Sequence, residues 1–161
     1  MKRRLLTSKT KYNEPGIYQL VICSRKNNRP ILIGRHLQFD DKGILVIGTT
    51  KNIETRREQL FQSCIRKKRG HSEGMTFALI GEKAKKLFKK KYGEYDTDYY
   101  LEFHFNLTDG NIGKAKKLEE KQLHVYLKKH GELPPLNGAL PGRLEEWERI
   151  FKNPKRKKAS R

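Results

Sequence analysis

Three groups of residues in this chain carry side chains that could act together on a phosphodiester. Tyr18 closes the run Gly16-Ile17-Tyr18 and supplies a phenol, able to exchange a proton with a reacting oxygen. Arg56 stands ten residues past Val46, after Val46-Ile47-Gly48 and Asn52-Ile53-Glu54-Thr55. Its guanidinium is always charged and presents a planar fork to two phosphate oxygens. Leu118-Glu119 supplies a carboxylate, and Asn137 follows eighteen residues later with an amide. A base to activate water, a cation for the phosphate and a ligand for a metal are what metal-assisted phosphodiester hydrolysis requires.

These groups work together only if strands and helices converge on them. The run GIYQLVI from Gly16 to Ile22 is β-branched and aromatic, bounded by Pro15 and a polar turn, and reads as a strand. A second short apolar run, Ile31-Leu32-Ile33, and a third, Ile44 to Ile47 behind the turn Asp40-Asp41-Lys42-Gly43, suggest an antiparallel sheet. After Gly48, Thr49, Thr50 or Asn52 can cap a helix in which Ile53, Arg56, Leu60 and Cys64 recur at helical spacing. Arg57 is rotated about 100° from Arg56, so the two cannot both face the sheet. A lysine-rich helix is expected over Glu82–Tyr92, and Tyr99–Leu107 alternates with the period of a half-buried strand.

The most periodic helix runs from Ile112 to His130, with Ala115, Leu118, Gln122, Leu123 and Tyr126 along one side, and is stopped by Gly131, Pro134 and Pro135. Glu119 lies four residues after Ala115 and four before Leu123, on the apolar stripe, whereas Glu120 lies on the wetter side. A carboxylate turned toward the core needs a partner, which a lysine or a hard divalent cation can provide. Asp109 with Glu119-Glu120-Lys121 imitates the spacing of a strand-borne nuclease motif, but this segment is helical. His36, His71, His104, His124 and His130 have no metal-ligand spacing. Of these, His71 alone sits in a basic, glycine-flanked loop from which it could approach phosphate.

The 161 residues fit one domain, and 37 Lys+Arg against 18 Asp+Glu leave a net charge of +19, which points to a polyanionic partner. Five of those charges fall in residues 1–11 and six in 152–161, so the expected organisation is a basic N-terminal arm, a body over 12–151 and a basic tail over 152–161. The body keeps an excess of its own. Phosphate contacts are expected from Lys51, Arg57, Arg66, Lys67, Lys68, Arg69 and His71. Cys23 and Cys64 lack disulfide-framework or paired CxxC spacing, and no apolar run approaches a membrane span, so the expectation is a cytoplasmic protein with no membrane partner.

The ordered segments Gly16-Ile17-Tyr18, Val46-Ile47-Gly48, Asn52-Ile53-x-x-Arg56, Glu119 and Asn137 resemble the GIY-YIG nuclease family, with valine where the second signature usually starts with tyrosine. The resemblance implies an α/β domain with a three-stranded antiparallel sheet flanked by helices. It implies that Tyr18 faces the scissile phosphate, that Arg56 stabilises transition-state charge, that Glu119 holds one Mg²⁺ or Mn²⁺, and that Asn137 fixes the geometry. Leu60 replaces a histidine or tyrosine common four residues past the arginine. The 27 residues between Tyr18 and Val46 match the longer linker of the restriction branch, so the expected activity is DNA endonuclease, of restriction or mobile-element type, with the choice between DNA and structured RNA left open by the sequence. The alternative is a nucleic-acid-binding module on the same fold with weakened catalysis. The gap at Val46 is expected to admit a water, or a ring from Tyr12 or Tyr95.

Overall fold

The computed structural model describes residues 1–81 and 98–138. They form strands β1 (Lys2–Leu5), β2 (Gly16–Ser24), β3 (Ile44–Thr50) and β4 (Tyr99–Leu107). The helices are α1 (Ile53–Cys64), α2 (including residues 72–81) and α3 (Ile112–His130). The expected helix over Glu82–Tyr92, Tyr95, and the basic tail 152–161 lie outside the described residues.

The protein is a mixed α/β fold around an antiparallel sheet of order β1-β4-β2-β3. Among the described residues it has four strands, not the expected three. The additional strand is Lys2–Leu5, four exposed residues without apolar alternation, paired so that Lys2 opposes Phe105 and Leu5 opposes Glu102. Residues 31–33 form no strand of their own; Ile33 makes an isolated bridge to Asp40.

β2 is central and buried on both faces, which explains its near-continuous apolar sequence. On one face Tyr18, Leu20, Val46, Phe103 and Phe105 pack against Ile53 and Leu60 of α1; on the other Ile17, Val21 and Ile47 pack against Leu123 and Tyr126 of α3. β4 alternates because α3 covers β2 and β3 and leaves the second face of β4 to polar residues. Asn52 caps α1 by accepting from the Thr55 amide at 2.8 Å.

The buried stripe of α1 is Ile53, Arg57, Leu60 and Cys64, so Arg57, not Arg56, turns inward. Arg57 is 1% exposed. Its guanidinium donates to Glu54 at 2.7 and 3.1 Å, to Glu58, and to the Leu6 carbonyl at 2.8 Å. The expected phosphate contact at Arg57 is therefore corrected: its donors are committed inside the fold. Glu54 also accepts from the Thr10 amide and hydroxyl, both at 2.7 Å. This network, with Leu6 buried beside it, ties residues 6–10 to α1 and holds β1 in place.

Burial opposes ionisation of Glu54, but the hydrogen bonds from Arg57 and Thr10 prevail and hold its carboxyl at about 2. A carboxyl lowered on folding stabilises the protein above its unfolded pKa, near 4.5, and that contribution is lost as pH falls toward 2. Arg57→Ala is expected to destabilise by about 3 kcal/mol at pH 7, because it removes the cation from the Glu54 carboxylate, and to flatten the acid limb of stability below pH 4.5. Chemical denaturation of both proteins across that range checks both effects.

Candidate active site

β3 is an edge strand, and its outer edge next to Gly48 is where the expected residues meet. Tyr18 opposes Gly48 across the ladder and shares its face. A Cβ at Gly48 would stand 2.6 Å from the Tyr18 hydroxyl and 2.7 Å from its Cζ, so only glycine leaves room for the ring to pass beneath β3. The ring is 2% exposed and stacks on Phe103 at 5.5 Å between centroids.

Arg56, one helical step from the committed Arg57, sits half-buried over this ring with Cζ 5.7 Å from its centroid. Its Nε is buried and has no hydrogen-bond partner among the described residues. Glu119 enters from α3 and accepts from the Thr49 hydroxyl at 2.8 Å, so Thr49, the residue after Gly48, joins the site. Strand alternation was the available signal for Thr49, since it puts Ile47 and Thr49 on the α3 side. Glu120 makes no such contact with the sheet; its backbone carbonyl meets the His124 ring.

Asn137 acts on the backbone. Its Oδ1 accepts from the Ile47 amide at 2.9 Å and its Nδ2 donates to the Ile47 carbonyl at 2.8 Å. The Leu136 amide donates to the Leu45 carbonyl at 2.9 Å, so residues 136–137 seal the outer edge of β3 up to Ile47.

The electrostatics couple the three side chains. Burial raises the Tyr18 phenol above its ordinary 10 even though Arg56 pulls it down, so it is protonated at neutral pH. Burial likewise raises the Glu119 carboxyl, against the Thr49 hydrogen bond and the charges of Arg56 and Lys116. A carboxylate held there is short of positive charge. The described residues contain no cluster of three or more metal-ligating side chains. One carboxylate nevertheless fits Mg²⁺ or Mn²⁺, hard ions that retain water and complete their shell with substrate phosphate oxygens.

Val46 is fully buried in the core cluster that also holds Leu20, Phe103 and Leu60. Tyr12 packs instead on Phe105, with its hydroxyl accepting from Lys2 Nζ at 3.0 Å. Lys51, Arg66, Lys67, Lys68 and Arg69 are exposed on either side of α1, and Arg66 lies over the Phe61 ring at 4.9 Å. His71 is half-buried, lies against Glu73, and feels the charge of Arg56. A groove of about 410 Å³ runs along α3 over Ile44 and Ile47, on the sheet face opposite Tyr18, and includes none of the four core site residues.

Gly48→Ala is expected to displace the Tyr18 ring and cost about 1–3 kcal/mol, the range for overpacking a core. In a double-mutant cycle with Tyr18→Ala, measured by denaturation, the Gly48→Ala cost should largely vanish. No protein-family model matches the chain, and neither a curated protein nor a solved structure matches it.

Proposed function

We propose that the protein is a metal-dependent endonuclease that hydrolyses DNA phosphodiester bonds on a GIY-YIG-like domain. The observation that carries this reading is the buried Arg56 Nε without a partner, beside a carboxylate whose burial leaves it short of positive charge. Leaving a buried donor unpaired costs about 1–3 kcal/mol, a cost that an incoming phosphate oxygen relieves. Glu119, steadied by Thr49, would hold Mg²⁺ or Mn²⁺ with water and the substrate phosphate. The ion supplies Lewis-acid polarisation of that phosphate. Arg56 binds a nonbridging oxygen and meets the charge that grows as water attacks. Tyr18 closes the site beneath Gly48 and keeps its hydroxyl beside the guanidinium. The net charge of +19 and the exposed Lys51 and Arg66–Arg69 support binding to a phosphate backbone, of DNA first and of structured RNA second.

The alternative is a nucleic-acid-binding module that has lost efficient cleavage, which the near-complete burial of Tyr18 favours. Supercoiled plasmid with Mg²⁺ separates the two: an enzyme nicks or linearises it, and a binder only retards its migration. For the enzyme, Glu119→Ala should abolish cleavage while Glu120→Ala retains most of it, and Arg56→Ala should lower the single-turnover rate by about 100-fold or more. Equal losses at Glu119 and Glu120 would remove Glu119 as the metal ligand.

A further inference from the structure

We infer that the groove along α3, on the sheet face opposite Tyr18, is a docking site for an acidic polypeptide segment with apolar anchors, supplied by a partner protein. Its floor is Ile44 and Ile47 of β3, and its helical wall carries Leu118 and Val125. Val125 is 61% exposed, whereas the other exposed residues of this helix are lysines and Gly113. An apolar floor with a branched side chain at its rim gains by being covered. Docking here is independent of the hydrolysis proposed above.

The charge around that floor has one sign. Lys42, Lys121 and Lys129 line the groove and are exposed, and no carboxylate lines it among the described residues. Lys129 reaches the exposed Asp41 at 3.5 Å, while Lys42 and Lys121 form no ion pair among the described residues. Leu118 and Lys129 bound the groove on α3, about 16 Å apart along the helix axis. An extended chain covers that length in about five residues and turns alternate side chains to opposite faces. Apolar side chains on one face can then rest on Ile47 and Val125, and carboxylates on the other meet the lysines, whose long stems bring the ammonium groups over the rim.

The groove is held open before any partner arrives. Midway along it the Gln19 side chain donates to Gln122 Oε1 at 2.9 Å, tying β2 to α3. At its far end the Tyr126 hydroxyl donates to Asp40 at 3.0 Å, and Asp40 accepts from the Ile44 amide at 2.9 Å. Such walls spare a ligand the cost of ordering them. Nucleic acid suits the groove less well, since phosphates laid over isoleucine and valine lose water without gaining a donor there. Base stacking needs an open ring face, and Tyr126 and His130 are 5% and 3% exposed. A second copy of the chain brings its own net charge of +19 against the same lysines.

Fluorescence anisotropy of a short fluorescein-labelled peptide that alternates leucine with aspartate, titrated with the full chain at physiological ionic strength, tests this. Saturable binding is expected, and peptides with asparagine for aspartate or serine for leucine should each bind about tenfold more weakly or worse. Lys121→Glu and Val125→Asp, both at exposed positions, should each weaken the leucine–aspartate peptide by about tenfold. Lys9→Glu, the same charge reversal beside α1, should change its affinity by less than about twofold. Val125→Ser serves where circular dichroism shows that Val125→Asp does not fold. Equal affinity for the serine peptide, or an equal loss in Lys9→Glu, would reduce the effect to net charge and overturn the docking site. Duplex DNA that loses affinity with Val125→Asp while the peptide does not would give the groove to nucleic acid instead. A dimer in sedimentation that Val125→Asp dissociates would give it to a second copy. Plasmid cleavage enters none of these outcomes, so failure here leaves the hydrolytic reading standing.

Discussion

The register of β2 is the constraint on which the rest depends. Its pairing sets Tyr18 between Gly48 on one side and Phe105 on the other. A slip of one residue would turn Tyr18 toward α3 and Gln19 toward α1, inverting both faces of the sheet. The register is secured because both faces are buried, by α1 and the aromatic residues of β4 on one and by α3 on the other. Gly48 then gives the tyrosine its only route to the edge of the sheet. The helices follow: α1 begins directly after β3 and brings Arg56, while α3 packs on the same strands and brings Glu119.

Around this centre the protein uses its arginines in two ways that the sequence makes look alike. Arg56 and Arg57 are adjacent and chemically identical, yet one is saturated by two glutamates and a carbonyl and the other retains a buried donor without a partner. The first secures the N-terminal segment to the helix. The second leaves binding capacity at the site. Committing one charge fully allows its neighbour to remain available without loosening the helix that carries both.

Much of the architecture was legible in the chain. The continuous apolar run of β2, the alternation of β4 and the periodicity of α3 each reflect burial on two faces, one face and one stripe, and such burial is written in residue order. The separation of Glu119 from Glu120 follows from the same periodicity. β1 was not legible, because Lys2–Leu5 carries no apolar pattern; it is a strand by virtue of the ladder it finds on β4 and of Leu6 behind it. The phase of α1 was misread because a buried arginine is unusual, although Glu54 and Glu58 at helical reach were the sign that one could be accommodated. Thr49 was read only as a possible cap, since the worth of its hydroxyl depends on a carboxylate seventy residues away. The Ile31–Ile33 run reads as a strand on composition, yet its neighbours supply one bridge rather than a ladder.

The amide of Asn137 on Ile47 bears on more than the site beside it. A free strand edge is a template onto which another chain's strand can add, and sheets ending in two such edges tend to aggregate. Here one edge is already occupied by a side chain that imitates a peptide group. The other, β1, is four residues long and carries Lys2, Arg3 and Arg4, whose like charges repel a second copy laid alongside. The sheet is blunted at both margins by unlike means, hydrogen-bond saturation at one and electrostatic repulsion at the other. The strands that assemble the site thus carry margins that disfavour the addition of a further strand.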